Sequence, residues 1–187
     1  MSLKASPPLT APSGASTLPA PTPWPGANAR LLGLGAGLPV HPLNRLASFG
    51  DKEFERFVLE WAHGFLMKQL PPGSEIQWRG GAGDKGRDII ALAGPAAPAG
   101  RPWKLYQCKH YAQRLGPADA TTEIGKILYY TWKGDYFAPQ EMWFVTHRGV
   151  ANSLQDLIDA PEDLRAHLLK RWENDCKNKI TSKNPSS

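Results

Sequence analysis

Asp88, Gln107 and Lys109 are the residues of this 187-residue chain whose types and spacing point most directly to chemistry. Asp88 stands where the glycine-rich turn Gly83-Asp84-Lys85-Gly86-Arg87 gives way to the apolar run Ile89-Ile90-Ala91-Leu92, which Gly94-Pro95 stops before a helix could form. Gln107 and Lys109 lie two apart in Trp103-Lys104-Leu105-Tyr106-Gln107-Cys108-Lys109-His110-Tyr111, a strand by its aromatic and apolar content, so their side chains share one face. The Gly, Pro and Ala-rich residues 93–102 can turn the chain back for antiparallel pairing. An acid, an amide and an ammonium then converge, which is costly unless each group finds a partner. A divalent cation such as Mg2+ answers that need, because it takes hard oxygens from carboxylates, carbonyls and water. Asp88 supplies one such oxygen, and the Gln107 side-chain carbonyl and the Cys108 backbone carbonyl are candidates for others.

The elements that must position these groups can be read from the surrounding pattern. Asp51 is placed to cap a helix running to about Gln69, closed by Pro71-Pro72-Gly73. At about 100° per residue, Phe54, Phe57, Val58, Trp61, Ala62 and Phe65 form one apolar arc, extended by Leu59 and Leu66. Glu55 falls inside that arc, whereas Glu53 and Glu60 fall outside it. From periodicity alone, Glu55 is either a boundary carboxylate satisfied by a nearby Arg or Lys, or an acid belonging to the site. Glu75–Arg79 reads as a first strand. A second helix opens at Gly116-Pro117-Ala118-Asp119 with Ile124, Ile127, Leu128 and Trp132 at core spacing, leaving Glu123 and Lys126 off that stripe, with Glu123 a weak alternative for an extra acid. Glu141–His147 reads as a fourth strand, and residues 151–158 and 161–175 as two further helices, the latter with Leu164, Leu168, Leu169 and Trp172 on one side.

Gly81-x-Gly83-x-x-Gly86 satisfies the dinucleotide-binding spacing, but that motif needs a helix to open at its end and Ile89-Ile90-Ala91-Leu92 cannot supply one. No Gly-Lys-Ser or Gly-Lys-Thr ending is present for a phosphate loop. Asp84 reads as a turn cap. Lys85 and Arg87 are candidates to approach a phosphate backbone, with solvated loop charges as the plainer alternative. His110 follows the site strand and reads as structural or substrate-contacting. Cys108 points away from Gln107 and Lys109 and reads as a small buried apolar residue rather than a nucleophile.

Asp88, a hairpin and then Gln107-Cys108-Lys109 resemble the PD-(D/E)XK nuclease superfamily, specifically its Mrr-like restriction-endonuclease branch, where Gln replaces the second acid. The stretch from His41-Pro42-Leu43 through Tyr111 also looks like the nuclease domains at the N-termini of some bacterial anti-phage defence proteins. The resemblance implies an α/β restriction-endonuclease-like core: a mixed four-stranded sheet flanked by helices in the order αβββαβ, with further C-terminal helices. Phe54-Glu55 matches the Phe-Glu pair that Mrr-like nucleases carry on their first helix, making Glu55 the second carboxylate.

On that resemblance Glu55, Asp88, Gln107 and Lys109 are the catalytic set. Asp88, Glu55, Gln107 and the Cys108 carbonyl hold Mg2+, for which Mn2+ can substitute, and Lys85, Arg87 and His110 contact nucleic acid. The implied activity is metal-dependent cleavage of DNA, double-stranded by expectation, in restriction or anti-phage defence. Cutting both strands usually implies two active sites, which a homodimer is one way to supply while the oligomeric state stays open, and relatives often carry a further domain or work with a defence-system partner. The alternative is a catalytically inactive nucleic-acid-binding or recruitment domain of a larger defence assembly.

Composition sets the frame. The net charge is +5, of which Lys4 and Arg30, in a stretch of 42 residues without an acid, contribute two. A moderate positive charge is compatible with a phosphate-bearing partner. Residues 1–42 hold nine prolines among Ala, Gly and Ser and are expected to be a disordered tail. Residues 43–176 are expected to be the folded domain and 177–187 a flexible tail. Two cysteines make neither a disulfide scaffold nor a zinc motif, and the chain lacks a signal-peptide core and any apolar run of membrane length. A cytoplasmic location is therefore expected.

Overall fold

The computed structural model describes residues 41–81, 83–97 and 100–181; the proline-rich stretch 1–40 and the last six residues lie outside the described residues. A four-stranded mixed sheet forms the centre, flanked by helices in an α/β arrangement. Its strands are β1 (Glu75–Trp78), β2 (Ile89–Leu92), β3 (Trp103–Cys108) and β4 (Glu141–Val145), in spatial order β1-β2-β3-β4. β1 and β2 pair antiparallel, as do β2 and β3, while β3 and β4 run parallel. The parallel pair requires a crossover, which the helix α3 (Pro117–Trp132) supplies.

Two helices precede the sheet. The short α1 (Pro42–Ala47), not expected from the sequence, is capped by His41, whose Nδ1 accepts from the Leu43 amide at 3.3 Å. In α2 (Asp51–Gly64) the cap is Gly50 rather than Asp51: Glu53 reaches back to accept from the Gly50 amide at 2.9 Å. The helix ends five residues earlier than its periodicity allowed, and Leu66–Gln69 follows as a 3-10 turn. Phe54, Val58, Leu59 and Ala62 pack on Ile76, Ile89, Ala91, Tyr106 and Cys108, covering one sheet face, while Trp61 and Phe65 project outward and stack on each other. Each of the large buried apolar side chains contributes about 2 kcal/mol through removal from water.

On the opposite face α3 packs through Ile127 against Ile90, Trp103, Leu105 and Tyr136. Its inward residues include Ala120, Thr121, Glu123 and Gly125, while Leu128 and Trp132 are 48% and 82% exposed. The helix is thus rotated from the expected stripe. The cause is a second packing surface: Gly125 lies under Cys176 and Ile180, so α3 is covered by the C-terminal segment as well as by the sheet.

Beyond β4 come α4 (Asn152–Asp159) and α5 (Pro161–Arg171). α5 buries no residue fully, and Leu169 stands exposed, contrary to the expected apolar side. A π-helical turn, Trp172–Lys177, then leads into α6 (Asn178–Thr181). The flexible tail expected from residue 177 is corrected here, because helical structure continues to Thr181 and Ile180 is buried. Among the described residues no helix is long and apolar enough to cross a membrane.

Candidate active site

Asp88 immediately precedes β2, and the β2–β3 register, which pairs Ile89 with Tyr106, continues to set Asp88 opposite Gln107. The turn before it is built as expected: Asp84 Oδ1 accepts from the Gly86 amide at 2.7 Å, and Gly83 and Gly86 take left-handed φ values of 85° and 78°. A strand follows the glycines, so the dinucleotide spacing has no helix N-terminus to use. Asp88 Oδ2 accepts from the Cys108 amide at 2.8 Å, a buried bond that locks the carboxylate to the end of β3.

A polar cleft of about 170 Å³ opens at this sheet end, lined by Glu55 from α2, Asp88, Cys108, Lys109, His110 and Tyr111, with Asp51 and Phe54 at its rim. The structure thereby brings Glu55, Asp88 and Lys109 together. Glu55 Oε2 accepts from the indole Nε1 of Trp78 at 3.0 Å, a partner different from the Arg or Lys that periodicity offered. Burial pushes the Asp88 carboxyl up to about 6; Lys109 and the Cys108 amide oppose the shift, while Glu55 and Asp84 add to it. Burial likewise raises the Cys108 thiol far above its usual range, which leaves it no role as a thiolate.

Gln107 does not line the cleft. It is 2% exposed, on the α3 side of β3 together with Leu105, and its Oε1 is buried without a hydrogen-bond partner. Its expected place as a cleft ligand is therefore corrected: alternation gives Gln107 the same face as Asp88 and Lys109, but it lies within β3, whereas the cleft is lined by residues at and beyond the strand end.

Lys109 follows β3, its amide bonded to the Val145 carbonyl at 2.9 Å. Its ammonium is engaged rather than free, 2.9 Å from Glu123 Oε1, and Glu123 is gripped from its other side by Lys126. Burial alone would raise the Glu123 carboxyl, but the two ammonium groups outweigh it and hold it below the ordinary carboxylate range. Burial would likewise lower Lys109, yet Glu123 and the neighbouring oxyanions hold it above its ordinary value. Glu123 is thus a site residue that the apolar stripe had set aside. The signal lay in its spacing of three from Ala120 and four from Ile127, which puts it on the helix face that meets the sheet.

Three nucleic-acid expectations change. Arg87 is 7% exposed, its Nε donates to the Asp84 carbonyl at 3.0 Å, and its guanidinium lies 4.5 Å over the Tyr136 ring. It holds the glycine turn to the core and is not a surface contact. Lys85 pairs with Asp135, and its carbonyl accepts from the Tyr136 hydroxyl. His110 bonds the Leu46 carbonyl through Nε2 at 2.8 Å, faces Asp51 through Nδ1 at 3.5 Å, and stacks on His147 with ring centres 4.4 Å apart. These bonds make it the fastening of α1 and α2 to the sheet end.

The donor set suits a hard cation: two carboxylates and a strand-end carbonyl are all oxygen. Two close acids, one with its carboxyl raised by burial, gain from a positive charge between them. Among the described residues no three His, Cys, Asp or Glu side chains form a metal cluster, so any cation here relies on Asp88, Glu55 and neutral oxygens. Comparison of the chain with protein-family models, with curated proteins and with solved structures finds no match.

Proposed function

We propose that this chain is a Mg2+-dependent endonuclease that hydrolyses DNA phosphodiester bonds, built on a PD-(D/E)XK core of the Mrr-like kind and serving restriction or anti-phage defence. The observation that carries the reading is the convergence of Glu55, Asp88 and Lys109 on one small polar cleft. The element order supports it, with a hairpin delivering Asp88 and Lys109 from adjacent strands and a helix delivering Glu55 from the opposite side.

Asp88 and Glu55 would hold the cation, with the Cys108 carbonyl beside them. When bound, it supplies the Lewis acidity that polarises a phosphoryl oxygen and lowers the pKa of water. Asp88 is kept in place by the Cys108 amide, and Glu55 by the Trp78 indole. Lys109 presents an ammonium that orients the attacking water and offsets charge gathering on the phosphate. Glu123 and Lys126 set where that ammonium sits.

Purified protein incubated with supercoiled plasmid in Mg2+, Mn2+ or EDTA tests the proposal. Nicking or linearisation that needs metal and is lost in Asp88→Ala and Lys109→Ala is expected; cutting that survives both variants would overturn it. A second reading, a domain that binds or recruits without cutting, is favoured by the recessed Gln107 and by the ion pair that occupies Lys109. Gel retardation of the same plasmid without cutting in any metal would select it.

A further inference from the structure

We propose that the polar cavity adjoining the cleft is a subsite for a backbone phosphate of the bound strand, flanking the phosphodiester to be cut. The inference rests on the nuclease reading for the strand it serves. The cavity has a volume of about 490 Å³ and is lined by His41, Asn44, Gln113, Arg114, His147 and Arg148, with Leu43 and Ala112 completing its wall. No carboxylate lines it, and neither Arg114 nor Arg148, both exposed, has an ion-pair partner among the described residues.

His147 adds a largely buried imidazole to the arginines of this wall: the residue is 9% exposed and lines the cavity. Burial, with His110 and Arg148 nearby, also lowers the pKa of this ring, so it serves as a neutral donor. His41 spends Nδ1 on the Leu43 amide, which leaves its Nε2 for a ligand. Guanidinium forks, an imidazole N–H and the amides of Asn44 and Gln113 match a tetrahedral oxyanion. The ring of His147 is already stacked on His110.

Cavity and cleft adjoin across the stacked His110 and His147 rings. His110 lines the cleft and His147 the cavity, with their rings 4.4 Å apart, and the chain passes directly from Tyr111 in the cleft to Ala112, Gln113 and Arg114 in the cavity. A strand whose scissile phosphate meets Lys109 can therefore set a neighbouring phosphate between Arg114 and Arg148.

The test is binding of a fluorescein-labelled duplex, followed by anisotropy in EDTA across a salt series. Arg114→Ala/Arg148→Ala should weaken binding and lower the slope of log affinity against log salt by about 1, the loss of one phosphate contact. Arg165→Ala, on exposed α5, should leave both unchanged. A wild-type slope in the double variant, or an equal fall in Arg165→Ala, would overturn the subsite. The plasmid assay separates this failure from that of the nuclease reading. Metal-dependent cutting with an unaltered slope removes the subsite alone, whereas a lowered slope with no cutting keeps the subsite and removes the nuclease.

Discussion

At the scale of single residues, Asp88 is a site carboxylate whose charge burial disfavours. Its carboxyl binds a proton more tightly in the folded chain, at about 6, than at its ordinary value of 3.8. Its contribution to stability is therefore greatest below about pH 4 and is lost as pH rises toward and through 6. Asp88→Asn in EDTA at pH 8 should gain roughly 2–3 kcal/mol in urea unfolding, since a tenfold change in proton affinity on folding corresponds to about 1.4 kcal/mol. Mg2+ should raise the melting temperature of the wild type but not of this variant; an Asn variant less stable than wild type at pH 8 would show that burial of the charge is not what Asp88 costs the fold. Glu123 acts through Lys109. Glu123→Gln should reduce kcat with little change in KM, and should cost about 2–3 kcal/mol because it leaves Lys109 buried beside a neutral amide. Equal falls in kcat and substrate affinity would assign Glu123 another role. The sequence pattern sets Glu123 off the core stripe; its inward position emerges only once the helix turns its Ala120 and Ile127 face inward. The Trp78 bond to Glu55 was not legible either, because their separation of 23 residues is closed only by folding.

At the scale of elements, two glycines fix how helices meet the sheet and the C-terminal segment. A Cβ on Gly80 would fall 2.6 Å from the Trp78 indole nitrogen and 2.7 Å from Glu55 Oε2, so Gly80→Ala must separate that pair. Cleavage should drop at least as far as in Trp78→Phe, with a stability loss of about 1–2 kcal/mol; an active, unshifted Gly80→Ala would show that Glu55 is placed by other contacts. On α3, a Cβ at Gly125 would lie 2.5 Å from Cys176 Sγ, so Gly125→Ala should lower stability by about 1–3 kcal/mol, and adding Cys176→Ala should restore part of it. Helix and strand identities were legible in periodicity, as were the antiparallel hairpin and the position of Asp88 at the strand entrance. The rotation of α3 was not, because an apolar stripe cannot reveal a second packing partner.

At the scale of the whole molecule, the C-terminal segment belongs to the folded unit. Deleting residues 178–187 removes Ile180, which is 4% exposed, from its place over Gly125. The truncated protein should melt earlier, with Ile180→Ala alone costing about 2–3 kcal/mol; an unchanged melting temperature in both would return the segment to the status of a tail. The charge of +5 framed the search for a phosphate-bearing partner without locating it. Folding puts the exposed Arg114 and Arg148 beside the cleft and turns Arg87 inward. By itself, the sequence determined what is local or periodic: the glycine turn into a strand, the α/β order, the prolines that open helices at Pro117 and Pro161, and the acid, amide and ammonium on adjoining strands. Tertiary structure alone decided which of those groups share a cleft. It recessed Gln107, paired Lys109 with Glu123 and fastened His110 to the Leu46 carbonyl. Desolvation and charge pairing depend on atoms brought close from distant points of the chain, and no spacing along one segment encodes that distance.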